Sequence, residues 1–321
     1  MPSYSGVWTL TAQYQAQGAG NWPSGPVTGL FGGGYDGSVR LNVIQTINIS
    51  STANATDFGD LAIGSGTNFN SAACSSSTRG VFGGGNNGSV DTNVIQYVTF
   101  ASAGDSTDFG DLASLTDQLS ACSSSTRGLF AGGDVAFIKI NVIQYITIAT
   151  TGNTTDFGDL PTVLIRFGSC SSPTRGVFGG GSSGSPTNTI SYVTIASTGN
   201  ATDFGDLFNV TDYIASCSSS VRGLFAGGYL VSAPYYTNSI NYITIASTGD
   251  AVDFGDLTQA RGYFSACSSS ARGVFGGGNT GSVVNTIDFV TIATTGNASD
   301  FGDLLQNTET FSACSSGHGG L

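Results

Sequence analysis

Apolar and polar residues recur along this chain in short runs of strand length, separated by clusters of Gly, Asn, Ser and Asp. No run has helical spacing over a useful length, and turn residues at these intervals are typical of short antiparallel strands. Four runs make one unit, and in one unit they are residues 266–270, 273–275, 286–293 and 299–304. The pattern predicts an all-β chain of four-stranded units.

The third run of each unit is apolar on both of its faces. In one copy, Ile190 and Tyr192 lie on one face while Val193 and Ile195 lie on the other. A sheet with one solvated face would alternate between apolar and polar residues, whereas burial on both faces is typical of a sheet packed between two others. The run therefore predicts the blade of a β-propeller.

A tetrapeptide, Asp-Phe-Gly-Asp, followed by Leu, marks the end of every unit and recurs every 47–51 residues. A period of this length indicates a repeat array in which each unit buries its apolar surface against its neighbours. The six copies begin at Asp57, Asp108, Asp156, Asp203, Asp253 and Asp300.

The two ends of the repeat region complement each other. The first unit begins at its second strand (residues 28–34), and residues 311–316 supply a first strand that no second strand follows. Pairing the two completes one blade and removes an exposed sheet edge. We expect residues 28–321 to form a six-bladed β-propeller of four-stranded antiparallel blades, closed by pairing the C-terminal strand with the N-terminal blade.

The order of these features resembles the kelch repeat: a small strand, an apolar pair, Gly-Gly, a strand with an aromatic residue, then aromatic-x-x-Leu. The resemblance covers residues 28–321, although kelch repeats carry Trp on the last strand where this chain has Phe. The Gly-Gly pairs are Gly33-Gly34, Gly84-Gly85, Gly132-Gly133, Gly180-Gly181, Gly227-Gly228 and Gly277-Gly278. The third-strand aromatics are Tyr97, Tyr145, Tyr192, Tyr242 and Phe289, with Thr46 in the first unit.

Residues 1–27 do not follow the repeat and hold both tryptophans of the chain. Residues 9–17 are predicted to form a short helix that the following Gly-Ala-Gly ends. The segment is either a plug packed on the propeller or a docking arm for another subunit, and the sequence leaves both open. Its candidate docking residues are Trp8, Tyr14 and Trp22.

Composition limits the possible partners. Charged residues make up 9% of the chain and the net charge is −12, whereas globular domains typically have ~25% charged residues. The negative charge argues against nucleic acid and anionic membranes as partners. We expect no membrane insertion, because the chain has no apolar run of bilayer length and no signal-peptide pattern at its start.

One cysteine occurs at the same place in each unit. Equivalent positions in neighbouring blades are expected to lie farther apart than the ~5.5 Å between Cα atoms that a disulfide prefers. We interpret these cysteines as small apolar wedges on the strand that lines the central channel; the alternative is a thiolate metal site. Reduced thiols favour assembly in a cytoplasm, and no cofactor is expected. They are Cys74, Cys122, Cys170, Cys217, Cys267 and Cys314.

Most charged residues sit at repeat positions, which predicts a structural role for them. Equal periodicity of Arg and Asp favours Arg–carboxylate pairs and Asp-capped turns that lock blade to blade. A calcium site formed by Asn54, Asp57 and Asp60 is the alternative, although this spacing differs from that of calcium loops. The set is Asp57, Asp60, Arg79, Asp108, Asp111, Arg127, Asp156, Asp159, Arg175, Asp203, Asp206, Arg222, Asp253, Asp256, Arg272, Asp300 and Asp303.

Residues that could support catalysis are scarce. The chain has one histidine, His318, and one glutamate, Glu309, and no Ser-His-Asp arrangement can be assigned. The glycine triplets precede no helix and no lysine, so they do not form phosphate loops. We expect a protein that is not an enzyme. A glycan-cleaving propeller would have to use Asp117, Asp212 and Glu309.

Two sets of loops vary between units, while the others hardly change. The loops after Gly-Gly and the loops after Asp-Phe-Gly-Asp-Leu emerge on the same side of a four-stranded meander. Exposed aromatics mixed with polar groups suit protein or glycan contacts, and unconstrained drift is the alternative explanation. The candidate binding residues are Tyr35, Lys139, Arg166, Tyr213, Tyr229, Tyr235, Tyr236, Arg261 and Tyr263.

The low-charge repeat, rich in Gly, Ser and Thr, and the N-terminal GVW, QYQA and GNWP segments resemble kelch-like virion proteins of marine phages, including cyanophages. The resemblance implies a tail or capsid fibre, appendage or decoration subunit, assembled in the host cytoplasm. Its implied partners are other virion proteins, a host-surface glycan or protein, and further copies of itself. The alternatives are an intracellular kelch-type protein-interaction module and a propeller that binds or cleaves glycans.

Overall fold

The computed structural model describes residues 26–62 and 69–321 and confirms the predicted architecture. The described chain is all-β, with six four-stranded antiparallel blades arranged as a propeller. Residues 1–25, with the predicted helix and the candidate docking residues Trp8, Tyr14 and Trp22, lie outside the described residues.

Blades 1 to 3 contain the first thirteen strands of the chain and the last one. Blade 1 consists of β1 (Thr28–Gly32), β2 (Val43–Asn48), β3 (Thr56–Asp60) and β26 (Ser312–Ser315). Blade 2 consists of β4 (Ala72–Ser75), β5 (Arg79–Gly83), β6 (Val94–Thr99) and β7 (Thr107–Asp111). Blade 3 consists of β8 (Ser120–Ser123), β9 (Arg127–Ala131), β12 (Val142–Thr147) and β13 (Thr155–Asp159), and carries the hairpin of β10 (Asp134–Val135) and β11 (Ile138–Lys139).

Blades 4 to 6 follow in chain order. Blade 4 consists of β14 (Gly168–Ser171), β15 (Arg175–Gly179), β16 (Thr187–Thr194) and β17 (Thr202–Thr211). Blade 5 consists of β18 (Ala215–Ser218), β19 (Arg222–Ala226), β20 (Ser239–Thr244) and β21 (Val252–Asp256). Blade 6 consists of β22 (Ser265–Ser268), β23 (Arg272–Gly276), β24 (Thr286–Thr291) and β25 (Ser299–Asp303).

Within each blade the strands lie side by side from the propeller axis outward. The innermost strands β4, β8, β14, β18, β22 and β26 contact one another in a ring around the axis. Blade 1 takes its innermost strand from the far end of the described chain, because β26 pairs with β1 and sets Cys314 opposite Leu30. This pairing is the predicted closure of the propeller.

The propeller has two ends, which we name by their loops. The uniform face carries the turns between the first and second strands and between the third and fourth strands of each blade. The variable face carries the loops after Gly-Gly and the loops after Asp-Phe-Gly-Asp-Leu. Because β1 begins and β26 ends at the uniform face, residue 26 and residues 317–321 lie at that face.

Near the axis, neighbouring blades approach closely where a cysteine of one blade packs on a glycine of the next. A Cβ on Gly223 would lie 2.5 Å from the sulfur of Cys170, and one on Gly128 would lie 2.5 Å from the sulfur of Cys74. All six cysteines are buried and unbridged, as the wedge interpretation predicts. The remaining contacts are Cys314 on Gly80, Cys122 on Gly176, Cys217 on Gly273 and Cys267 on Gly29.

The Asp-Phe-Gly-Asp motif clamps the outer strand of each blade to a loop of the next blade. Between blades 1 and 2, the Gly104 N–H donates to the Phe58 carbonyl at 2.7 Å. The Ser106 N–H donates to the Asp60 carbonyl at 2.8 Å, and the Asp60 N–H donates to Asp105 Oδ1 at 3.0 Å. Three hydrogen bonds thus join the motif to its neighbour.

The glycine and the cap of this clamp explain which residues recur. A Cβ on Gly59 would lie 2.3 Å from the Gly104 carbonyl oxygen, so the motif requires glycine there. The predicted Asp-capped turns exist, but the capping side chain comes from the loop, while the motif aspartates contribute main-chain groups. The capping residues are Asn54, Asp105, Asn153, Asn200, Asp250 and Asn297.

The predicted pairing of the repeated arginines with carboxylates is wrong. Arg79 Nη1 donates at 2.9 Å to the Ile148 carbonyl of the next blade, and its guanidinium lies 4.5 Å from the centre of the Tyr97 ring. The aromatic face and the carbonyl satisfy the cation, so no carboxylate is needed. Arg127, Arg175, Arg222 and Arg272 repeat the arrangement.

The interface between blades 1 and 2 departs from this arrangement at three positions together. Thr28 replaces the arginine and Thr46 replaces the aromatic residue, with Thr46 Oγ1 donating to the Gly29 carbonyl at 3.3 Å. Phe100 stands where the next blade has Ile148, and its partly buried ring packs against the core between blades 1 and 2. At this interface the larger Phe100 side chain takes the place of the absent arginine.

Replacing Gly223 by alanine tests the contact between blades. The new methyl group would meet the Cys170 sulfur at 2.5 Å, and overpacking of this kind costs about 1–3 kcal/mol. We expect Gly223→Ala to lower the urea midpoint of unfolding, and to lower it much less in a Cys170→Ala background, where the sulfur is absent. Equal losses in the two backgrounds would contradict the proposed contact.

Candidate functional site

The central channel is a polar cavity of about 170 Å³ between the innermost strands. Its wall contains a closed ring of six serine hydroxyls, each donating to the main-chain carbonyl of the equivalent serine in the preceding blade at 2.5–2.8 Å. Because every hydroxyl is engaged in this way, the ring is part of the scaffold. Its members are Ser75, Ser123, Ser171, Ser218, Ser268 and Ser315.

Residues 317–321 occupy the channel at the uniform face. His318 Nε2 lies 3.1 Å from the Ser75 carbonyl oxygen and 3.2 Å from Ser123 Oγ. The Gly320 N–H donates to Nδ1 at 3.0 Å, so Nδ1 accepts and Nε2 carries the proton. A Cβ on Gly320 would lie 1.8 Å from the Ser123 carbonyl oxygen. The close fit of residues 317–321 closes the channel at the uniform face.

A second closed ring, made of main-chain groups, surrounds the axis at the variable face. Six residues have left-handed backbone conformations, with φ of 51–64°. The N–H of each donates at 2.7–3.2 Å to the carbonyl of the equivalent residue in the preceding blade. The ring therefore fixes the six side chains around the axis. They are Asn70, Gln118, Arg166, Tyr213, Tyr263 and Thr310.

We call the cavity that these side chains line the axial mouth, and its volume is about 90 Å³. It shares lining residues, among them Leu119, Phe167 and Ile214, with the channel below it. The two cavities thus follow one another along the propeller axis. The axial mouth is the candidate functional site because it combines a concave surface with side chains that the main chain holds in place.

One side of the axial mouth is aromatic and cationic. The Tyr213 and Tyr263 rings lie 3.7 Å apart between centroids, and the Arg166 guanidinium lies 4.6 Å from the centre of the Tyr213 ring. Arg166 Nε donates to Gln118 Oε1. Arg166 Nη1 lies 3.9 Å from Asp212 Oδ2. Stacking and ion pairing together hold this half of the mouth in one arrangement.

The aromatic surface continues outward over blade 5. The Tyr236 ring lies 6.4 Å from that of Tyr263, and Tyr229 lies 5.8 Å from Tyr236 and 6.1 Å from Tyr235. The Tyr236 hydroxyl donates to Asn279 Oδ1 at 3.2 Å. Burial raises the pKa of Tyr263 to about 12, so its phenol remains neutral at physiological pH. The structure thus brings five of the predicted tyrosines into one contiguous cluster.

Two buried carboxylates, Asp117 and Asp212, directly precede the ring residues Gln118 and Tyr213 in the sequence. Burial raises the pKa of Asp117 to about 6, and the nearby Asp91 carboxylate adds to the shift. Burial also raises the pKa of Asp212, which the Arg166 guanidinium opposes. Asp212 Oδ1 and Thr211 Oγ1 are buried without a hydrogen-bond partner.

The alternative catalytic residues do not converge. They precede the ring residues of three alternate blades and are Asp117, Asp212 and Glu309. Glu309 accepts from Asn279 Nδ2 at 2.7 Å.

In the part of the chain that the structure describes, no group of three or more His, Cys, Asp or Glu side chains is placed to hold a metal ion. No helix of that part could cross a membrane.

The other predicted binding residues lie elsewhere. Arg261 is 0% exposed and its Nη2 lies 2.9 Å from Asp288 Oδ2 inside blade 6, so its prediction as a surface binding residue is wrong. Its loop reaches the variable face, but the side chain turns inward to the Asp288 carboxylate. Tyr35 forms isolated bridges with Arg40 and Glu309 on the first blade. Lys139 lies on β11, opposite Asp134.

Sequence reasoning missed half of the axial mouth and the most exposed aromatic residue of the part of the chain that the structure describes. Asn70, Gln118 and Thr310 complete the mouth, and Phe137 on the blade 3 hairpin is 97% exposed. Aligning the units would have found the first three, since each stands two residues before the innermost strand, as Tyr213 does.

Comparison with models of known protein families and with curated protein sequences finds no match to this chain.

The single histidine offers a direct test of the channel plug. Burial lowers the pKa of His318 to about 4, against an unfolded value near 6.5. Its neutral form therefore stabilises the fold above about pH 6.5, and this contribution is lost as the pH falls toward 4. We expect its imidazole NMR resonances to titrate well below pH 6. A midpoint near 6.5 would show that the ring is solvated and the plug open.

Proposed function

We propose that this protein is a non-enzymatic binding and assembly subunit that makes its contacts through the variable face. Of the thirteen large hydrophobic residues exposed in the described part of the chain, eleven lie on that face. Apolar side chains gathered on one exposed surface are typical of interaction sites. They are Val39, Val90, Leu115, Phe137, Ile138, Val163, Phe208, Val210, Val231, Tyr235 and Leu305.

The aromatic cluster at the axial mouth supports a binding role. Tyr and Arg are enriched among the residues that dominate binding energies, and side chains that are already ordered lose little entropy on binding. Arg166, Tyr213 and Tyr263 are held by the main-chain ring and by each other. They form the centre of a surface whose rim consists of the variable loops.

The contacts of the carboxylates support a role without catalysis. Asp212 lies beside the Arg166 guanidinium, Glu309 accepts from the Asn279 amide, and Asp117 accepts from Gln118. His318, the only histidine, is engaged in the plug at the opposite end. General acid–base catalysis needs a titratable group within reach of the substrate, and each of these side chains already contacts a protein partner.

We further propose that the subunit belongs to a phage virion, as a tail or capsid fibre, appendage or decoration protein. The sequence resemblance to kelch-like virion proteins of marine phages and cyanophages supports this assignment. In this proposal the uniform face and the N-terminal segment mount the propeller, since the described chain begins at that face. The variable face then contacts a host-surface glycan or protein, or a neighbouring virion protein.

Quantitative mass spectrometry of purified particles tests the virion assignment. We expect the chain in particles of the encoding phage at a fixed copy number set by the particle symmetry, and retained through gradient purification. A major capsid protein measured in the same digest serves as the internal standard. Absence from particles would exclude the virion role and leave an intracellular interaction module as the favoured function.

A further inference from the structure

Charge is distributed unevenly between the two faces. On the variable face, Arg40, Lys139 and Arg166 are balanced by Asp36, Asp91 and Glu309, which are all at least partly exposed. Three more aspartates of that face, Asp117, Asp134 and Asp212, are buried. On the outer strands and the uniform face, five arginines stand against fourteen aspartates, a formal excess of nine negative charges. Counted in full, the variable face has three positive and six negative groups, so its formal excess of three negative charges is smaller than the nine of the remaining surface.

The blade 3 hairpin presents an apolar tip where other blades present a polar turn. Val135 pairs with Ile138, which leaves Ala136 and Phe137 as a two-residue turn with φ of 51° and 69°. At the position of Ala136, four of the other five loops have a glycine with positive φ. The four are Gly37, Gly88, Gly184 and Gly281.

Two left-handed residues with side chains are unfavourable in such a turn, for which Asn-Gly is preferred. Strained backbone of this kind persists where the side chain has a function. Phe137 is 97% exposed and Ile138 is 69% exposed, so neither side chain stabilises the monomer by burial. The chain's single lysine, Lys139, follows them. The hairpin thus places an aromatic side chain in solvent at the tip of the loop.

We propose that the partner is a second copy of this chain, and that two propellers associate through their variable faces with Phe137 in the contact. This inference rests on the proposed role of the variable face as an assembly surface. The variable face is the least acidic part of the surface, and its positive and negative groups can pair across a twofold axis, because such an axis sets each patch against the same patch of the other copy. The apolar loop residues that lie between these charged groups supply the apolar surface that the interface buries.

The same charges disfavour other contacts between copies. Any approach through the outer strands or the uniform face opposes aspartate-rich surfaces, and like charges in contact are repulsive. An anionic membrane is disfavoured for the same reason. A stable interface buries about 800 Å² on each partner, and loops of all six blades contribute exposed apolar residues to the variable face.

Sedimentation velocity of the full chain between about 1 and 100 µM, a range that reports a micromolar Kd, tests the proposal. We expect concentration-dependent dimers of the wild-type chain. In the double variant Ala136→Asn with Phe137→Gly, association should weaken by about tenfold or more. The same variant restores the preferred turn, so its thermal midpoint should be equal or higher. Loss of association with an unchanged or higher thermal midpoint would show that the substitutions remove the contact between copies and do not unfold the chain.

A matched control removes apolar area from the other side of the propeller. Val221 and Val252, the two remaining exposed large hydrophobics, lie away from the variable face, and Val221→Thr with Val252→Thr should leave association unchanged. A wild-type chain that stays monomeric, or a hairpin variant that dimerises like wild type, would overturn the proposal. Neither result affects the copy number in particles, so the virion assignment fails or stands separately.

Discussion

The structure depends on how closely neighbouring blades can approach. At each interface a cysteine of one blade packs on a glycine of the next, at distances that leave no room for a Cβ. Further out, the Asp-Phe-Gly-Asp clamp brings the main chain of one blade against the main chain of the next. Small residues in phase around the axis thus set the spacing between blades, and that spacing determines the diameter of the channel and of the axial mouth.

Two hydrogen-bonded rings turn six local contacts into a closed assembly. The serine hydroxyls of the channel wall and the main-chain groups of the axial mouth each donate in the same rotational sense, from every blade to the one before it. No member lacks an acceptor, so the rings have no end that water must solvate. The polar groups near the axis can therefore be buried without loss of stability. A buried polar group without a hydrogen bond would lower the free energy of unfolding by about 1–3 kcal/mol.

The repeat carried enough information to predict the fold, since both-face apolar strands and complementary ends leave few other architectures. The repeat did not show which groups the polar side chains contact. Arg79 and the motif aspartates share a period, yet the arginine stacks on Tyr97 and donates to a carbonyl, because an aromatic face lies within its reach inside the blade interface. Arg261 looked like any other loop arginine, and only its packing shows that Asp288 draws it inside. Loops of similar composition differ in which side chains they bury, so the site was predicted only in part.

At the axial mouth, a ring of main-chain hydrogen bonds alone sets the positions of the six residues around the axis. Each of its six positions requires a left-handed backbone, which costs a residue with a side chain roughly 1–2 kcal/mol, and otherwise imposes no identity. Asparagine, glutamine, arginine, threonine and two tyrosines already occupy equivalent places. Substitutions there can change the chemistry presented on the axis without disturbing the blades, so the propeller can acquire new specificities while its scaffold stays the same.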